Sequence, residues 1–212
     1  MIKSLFVCAA MLLAVQLEAT PCLPAARSDG KVVQPQHKTL LGDPVRHGVY
    51  ATPVLKFGAF GPRSEGSLIV GAQGGWILDH KYVLGLGVYG LSTSIKAEER
   101  WEIAGLITIF NYGGLMLSYI HHSYRLVHAE TTMLIGVGEV NYRDEDYWAK
   151  YPKGDNFIVI EPGINLILNV TRNLRAGMGL GYRHVERVNI IGMDRSDVSG
   201  VNFNLLLQVG YF

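Results

Sequence analysis

The stretch "IVIEPGINLILNV", residues 158–170, alternates with a period of two. Ile158, Ile160, Pro162, Ile164, Leu166, Leu168 and Val170 fall on one face. Phe157, Val159, Glu161, Gly163, Asn165, Ile167 and Asn169 fall on the other. Only an extended strand separates residues in that way. The next stretch repeats the pattern, with Leu174, Ala176, Met178, Leu180 and Tyr182 against Arg175, Gly177, Gly179, Gly181 and Arg183. A barrel in water hides its apolar face and shows the polar one. Here one face is almost wholly apolar and the other mixes glycine, amides and charges of both signs. That distribution fits hydrocarbon outside and a polar filling inside.

Eight such stretches can be marked, near 52–60, 67–78, 82–93, 105–120, 126–141, 157–169, 174–185 and 200–212. Each is close to or above the roughly 9–11 residues that a tilted strand needs to cross a bilayer. Tight connections follow the second, fourth and sixth: "DHK" (79–81), "HHSYR" (121–125) and "TRN" (171–173). The alternate connections are longer and charged at 94–102, 142–156 and 186–199, and only "GPRSEG" (61–66) is short. Short turns on one side and long loops on the other mark an up-and-down barrel. The expected fold is all-β: an eight-stranded antiparallel up-and-down transmembrane barrel over 50–212, with both strand termini on the short-turn, periplasmic side.

The N-terminus reads as an export sequence. Lys3 precedes an apolar run from Leu5 to Val15, too short for a membrane helix. Residues 1–19 are the expected signal peptide, with cleavage as late as residue 26, and 20–49 a polar segment. Neither Cys8 nor Cys22 follows the small residues of a lipoprotein site. The exported chain therefore keeps at most one cysteine, which excludes a disulfide framework and a cysteine metal site. A net charge of +1 without a basic stripe excludes a nucleic-acid partner.

Glycine is abundant, 25 of 212 residues. An eight-stranded barrel is just wide enough for side chains to fill. Gly71, Gly75, Gly85, Gly87, Gly136, Gly138, Gly177, Gly179 and Gly181 would make room for long neighbours. The expected interior network is Lys56, Glu130, Glu161, Asn165, Asn169, Arg175 and Arg183. A tight turn near Arg172 sets Glu161 opposite Arg183 and Asn169 opposite Arg175. Buried charges need partners, so a structural plug of ion pairs is the main reading, with a proton relay or selective pore as its rival. Trp76, Tyr82, Tyr119, Tyr124 and Tyr182 lie near strand ends, where aromatic girdles sit.

Other motifs carry less. "GLGVYG" (85–90) matches a dinucleotide fingerprint, but its alternation continues where that motif needs a helix. His121, His122 and His128 are near in sequence, yet adjacent strand residues face opposite ways, so no metal site is expected. Gly113, Gly114 and Asn111 favour a strand over a membrane helix at 104–120. The charged loop 143–155 offers Tyr147, Trp148 and Tyr151 for recognition at the surface.

The chain's last strand puts Val201, Phe203, Leu205, Leu207, Val209 and Tyr211 on one face and ends on Phe212. Tyr211 and Phe212 resemble the terminal signal that outer-membrane barrels present to their assembly machinery, with Phe212 one step out of phase. Residues 50–212 resemble the small eight-stranded outer-membrane barrels, the OmpA-like and OmpX-like group. The segments 67–91, 112–120, 134–146 and 160–185 are most similar to a set of barrels from Bacteroidetes-type bacteria that has no defined activity. "HHS" (121–123), with Glu130 or Glu139, resembles the His-x-Ser pair of lipid A deacylase barrels, but Tyr124 replaces their asparagine. The resemblance implies residence in the outer membrane of a Gram-negative bacterium. Its implied partners are outer-membrane lipid, lipopolysaccharide and the assembly machinery, with an extracellular protein or glycan at the loops. No cofactor and no catalysis are expected. The rival functions are a narrow pore or lipid carrier, and an outer-leaflet lipid enzyme.

Overall fold

A computed structural model describes residues 46–96, 106–143, 154–188, 190 and 192–212. The expected signal peptide, the polar segment up to residue 45, and the loop aromatics Tyr147, Trp148 and Tyr151 lie outside the described residues. The strands are β1 (His47–Phe60), β2 (Glu65–Leu78), β3 (Tyr82–Leu91), β4 (Ile107–His121), β5 (Val127–Arg143), β6 (Asp155–Asn169), β7 (Leu174–Glu186) and β8 (Gly200–Tyr211). Each pairs antiparallel with its sequence neighbours, and β1 pairs with β8 to close the barrel. Closure removes both sheet edges, so no row of free N–H and C=O groups faces outward.

The eight stretches of alternation are the eight strands. The main difference lies at the start, where β1 begins at His47, inside the segment expected to be polar linker. Val49, lipid-facing like Ala51 and Leu55, already pairs with Tyr211 and thereby extends the closing seam. One loop also gains structure: Arg195–Val198 forms a single helical turn, α1, closed by Asp194 and Asp197 in a capping box.

The outer surface is a continuous apolar belt. Leu84, Leu86, Val88, Leu115, Leu117, Ile164, Leu166, Leu180 and Leu207 are all exposed on it. Trp76, Tyr82, Tyr119 and Tyr211 ring its short-turn end, while Phe57, Tyr182 and Phe203 stand towards the other. Tyr82 and Tyr119 pack with ring centroids 5.4 Å apart across β3 and β4. β5 has 17 residues and β4 and β6 have 15 each, more than hydrocarbon alone requires, so the strands project beyond the belt.

Two prolines lie within strands, and each interrupts one ladder. The β1–β8 pairing skips from Ala51 to Val54 around Pro53. The β6–β7 pairing skips from Ile160 to Gly163 around Pro162. Proline offers no N–H to that neighbour. On the other side both stay paired, Pro53 with Ala72 and Pro162 with Met133. In detergent the folded barrel is expected to run faster on a cold gel than after boiling. Identical mobility before and after heating would show that no closed barrel forms.

Candidate functional site: the barrel lumen

Three levels of side chains fill the lumen. At mid-height Lys56 from β1 reaches across to Glu161 on β6. Its ammonium donates to Glu161 Oε1 at 2.7 Å and to the Tyr112 hydroxyl at 3.0 Å. That hydroxyl donates to Glu161 Oε2 at 2.8 Å, and the Asn202 amide donates to Oε1 at 3.2 Å. Tyr89 lies under the ammonium, 3.4 Å from its ring centroid, and donates from its own hydroxyl to Gln73 at 2.8 Å. Lys56 and Glu161 are only 4% and 5% exposed, so this pair is taken fully out of water. Such a pair persists only when further hydrogen bonds and ring contacts satisfy it.

Glycine makes the space. A Cβ on Gly71 or Gly87 would strike the Tyr89 ring, and one on Gly138 would strike Phe157. Next to the pair lies a cavity of about 30 Å³ bordered by Gln73, Thr132, Asn165 and Asn204. The Oδ1 atoms of Asn165 and Asn204 are buried without a protein donor. A polar space of that size suits one or two waters.

Towards the long loops the filling changes character. Phe110 stacks on Phe157 with centroids 4.8 Å apart, and Phe60 packs edge-on against Phe110 at 4.9 Å. Val140, Val159, Val185, Met193 and Val198 continue the same buried cluster. The expectation of a polar interior is therefore corrected: the outward third is an apolar plug. Beyond the hydrocarbon, water surrounds the strands, so apolar residues turn inward as in a soluble barrel.

The short-turn third holds Glu130, whose Oε2 accepts from Gln208 at 3.0 Å. Below it, the Arg175 guanidinium lies over the Phe212 ring at 3.7 Å, and Phe212 also packs near Tyr50.

Two expected pairings need correction. Arg183 is not the partner of Glu161. Its Nε donates to the Val198 carbonyl at 2.7 Å, and its guanidinium lies 5.1 Å from the Phe110 ring centroid. It pins α1 over the plug instead. Asn169 does face Arg175 in the ladder, but its amide donates to the Ser123 and Arg125 carbonyls at 3.1 and 2.7 Å. It ties down the β4–β5 turn and takes no part in a charge network.

The ladder explains why the Lys56–Glu161 pair stays hidden in the sequence. Stepping from Lys56 through Asn204 and Gly179 arrives at Asn165, four residues from Glu161. Strand tilt carries the ladder along the barrel axis, so side chains that meet across the lumen are not those that register arithmetic aligns. Tyr112 and Tyr89, missed as partners, were visible only as inward positions beside glycines.

Among the described residues no lipid-cleaving constellation forms around His121. Its ring packs on Tyr119 at 4.6 Å, and its Nε2 lies 3.5 Å from the Thr131 hydroxyl. Glu130 faces the lumen, on the opposite side of the strand from Ala129, which pairs with His121. Glu139 lies ten residues along β5 from Ala129, roughly 30 Å away. "GLGVYG" runs within β3, and 107–121 is strand throughout. Among the described residues no group of three or more His, Cys, Asp or Glu is placed to hold a metal.

The fold is shared with solved barrels. The N-terminal β-barrel domain of Pseudomonas aeruginosa OprF aligns with a TM-score of 0.51 at 13% identity, over 77% of this chain and 97% of that one. Neisserial surface protein A aligns at 0.54 with 11% identity, over 78% and 97%. The attachment invasion locus protein Ail of Yersinia pestis aligns at 0.50 with 9% identity, over 78% and 98%, and was also solved with the heparin analogue sucrose octasulfate. No family model and no curated protein matches the sequence. The chain has the closed eight-stranded architecture of small outer-membrane barrels.

Removing one member of the buried pair leaves the other uncompensated. Lys56→Met is expected to destabilise the barrel by about 3–5 kcal/mol, and the double change Lys56→Met, Glu161→Leu to recover most of that loss. Urea unfolding from lipid vesicles measures both. A single variant as stable as the parent would contradict the buried pair.

Proposed function

We propose that this protein is an outer-membrane barrel with a structural or surface-interaction role, closed to permeation, with recognition placed on its long loops. One observation carries the reading: an unbroken apolar belt encloses a lumen filled from the Phe212 mouth to the Phe60–Phe110–Phe157 plug. Such a molecule offers lipid its flank and offers solvent its two ends. The apolar run Leu5 to Val15 supports export, and Tyr211 with Phe212 supports a role as the terminal assembly signal. Kinship with Bacteroidetes-type barrels rests on the four segments at 67–91, 112–120, 134–146 and 160–185.

The loop 143–155, with Tyr147, Trp148 and Tyr151, is the proposed contact for an extracellular protein or glycan. Aromatics beside charged residues suit sugar faces and protein surfaces alike. Ail with sucrose octasulfate shows that a barrel of this shape can carry a polyanionic sugar. The pore and lipid-carrier readings lose ground to the plug, and the enzyme reading to the separation of His121 from Glu130 and Glu139.

In planar bilayers the parent barrel is expected to give no steady single-channel conductance. The variant Phe110→Gly, Phe157→Gly should admit ions while keeping the heat-modifiable fold. Stable channels from the parent protein would instead support the pore.

A further inference from the structure

The short-turn end of the barrel opens into a cavity of about 670 Å³. Arg46, His80, Lys81, His121, His122 and Arg175 line it. Among the described residues Asp79 is the only acidic side chain in the lining, and its carboxylate lies 3.6 Å from Lys81. Arg125 and Arg172, on the neighbouring turns, add to the positive field.

Arg175 forms the floor. It is 6% exposed, and its guanidinium rests on the Phe212 ring. Among the described residues it donates no hydrogen bond and forms no ion pair. Glu130, the nearest lumenal acid along the barrel, accepts from Gln208 through Oε2 and attracts the Arg175 charge from a distance without forming an ion pair with it. The guanidinium borders the open vestibule, and there its donors meet solvent and no protein acceptor among the described residues. The aromatic ring satisfies the cation's face and leaves its edge free. That edge is a planar fork matched to an oxyanion.

We propose that this mouth binds a phosphate group, with Arg175 as its floor and Arg46 and Lys81 at its rim. Several cations around one cavity favour a phosphate over a single carboxylate. The cavity is far larger than one ion, so it also accepts a phosphate carried on a larger molecule. Trp76, Tyr82 and Tyr119 place the mouth at the level of lipid headgroups. The phosphate therefore comes either from solution or from an anionic phospholipid of the facing leaflet. The proposal does not depend on what the long loops recognise.

Two arms distinguish the sources, both with the full folded chain. In zwitterionic micelles at low salt, inorganic phosphate is titrated calorimetrically. In nanodiscs of phosphatidylcholine with phosphatidylglycerol, lipids retained by the barrel are measured by mass spectrometry. Arg175→Gln should weaken phosphate binding by about tenfold or more, the loss of one charge-assisted contact. Arg195→Gln, at the opposite end, should leave it unchanged. Heat-modifiable migration checks that the Arg175 variant folds. The rim variant Arg46→Gln, Lys81→Gln, which alters no packed lumenal side chain, should weaken binding as well. Selective retention of phosphatidylglycerol that falls in these variants, without free phosphate binding, assigns the site to the headgroup. Binding in neither arm, or binding untouched by both the floor and the rim variants, overturns the proposal.

Discussion

The backbone's need for hydrogen-bond partners in hydrocarbon governs this molecule. A peptide group facing lipid without a partner costs several kcal/mol, so a sheet in a membrane must close. The β1–β8 seam meets that demand from Val49 to Gly58. The two prolines fit the same logic. Pro53 and Pro162 break one ladder locally, but neither exposes an unpaired N–H of its own, because it has none. Their rings join the apolar belt, and the chain gives up ladder bonds only where the missing donor is its own.

Closure with eight strands creates the second constraint, a lumen that must be packed. The packing follows the solvent outside the wall. Where lipid surrounds the strands, the outer face is almost wholly apolar, and the axis is shared between Lys56, Glu161 and their hydroxyl and amide partners and smaller apolar fillers such as Val54, Met116, Leu134 and Leu206. Where the strands outrun the lipid, the sign reverses, and Phe110, Phe157 and Val185 turn in while His184 and Glu186 meet across the outside at 2.9 Å. One chain thus carries two inside-out relations along the same strands.

This reversal marks how far the sequence could be read. Alternation revealed the strands, their faces and the order of short and long connections, because period two depends only on local geometry. It placed Lys56, Glu130, Glu161, Asn165, Arg175 and Arg183 on the inner face, where all six are buried. It did not reveal who meets whom. Glu161 and Arg183 stand opposite each other by register count, at the gap the ladder leaves around Pro162, yet Glu161 crosses the lumen to Lys56 and Arg183 turns up to Val198. Those choices depend on barrel tilt and on side-chain length, and neither leaves a periodic trace. The apolar plug was legible in part, since Phe157 and Val159 already sat on the mixed face of β6. Reading one solvent for the whole strand concealed its meaning.

The end of the chain joins these threads. Tyr211 continues the lipid face at the closing seam, and the alternation then turns Phe212 inward. The inward phase of Phe212 has a structural consequence. An aromatic ring placed under the lumen covers the face of Arg175 and narrows the short-turn mouth. A terminal ring on the outer face would leave the guanidinium open on both sides to water. Turned inward, it confines that cation to one free edge and directs the edge into the basic vestibule. Two adjacent aromatics thus divide the work: Tyr211 closes the cylinder against Val49, and Phe212 lines the mouth beside Arg175.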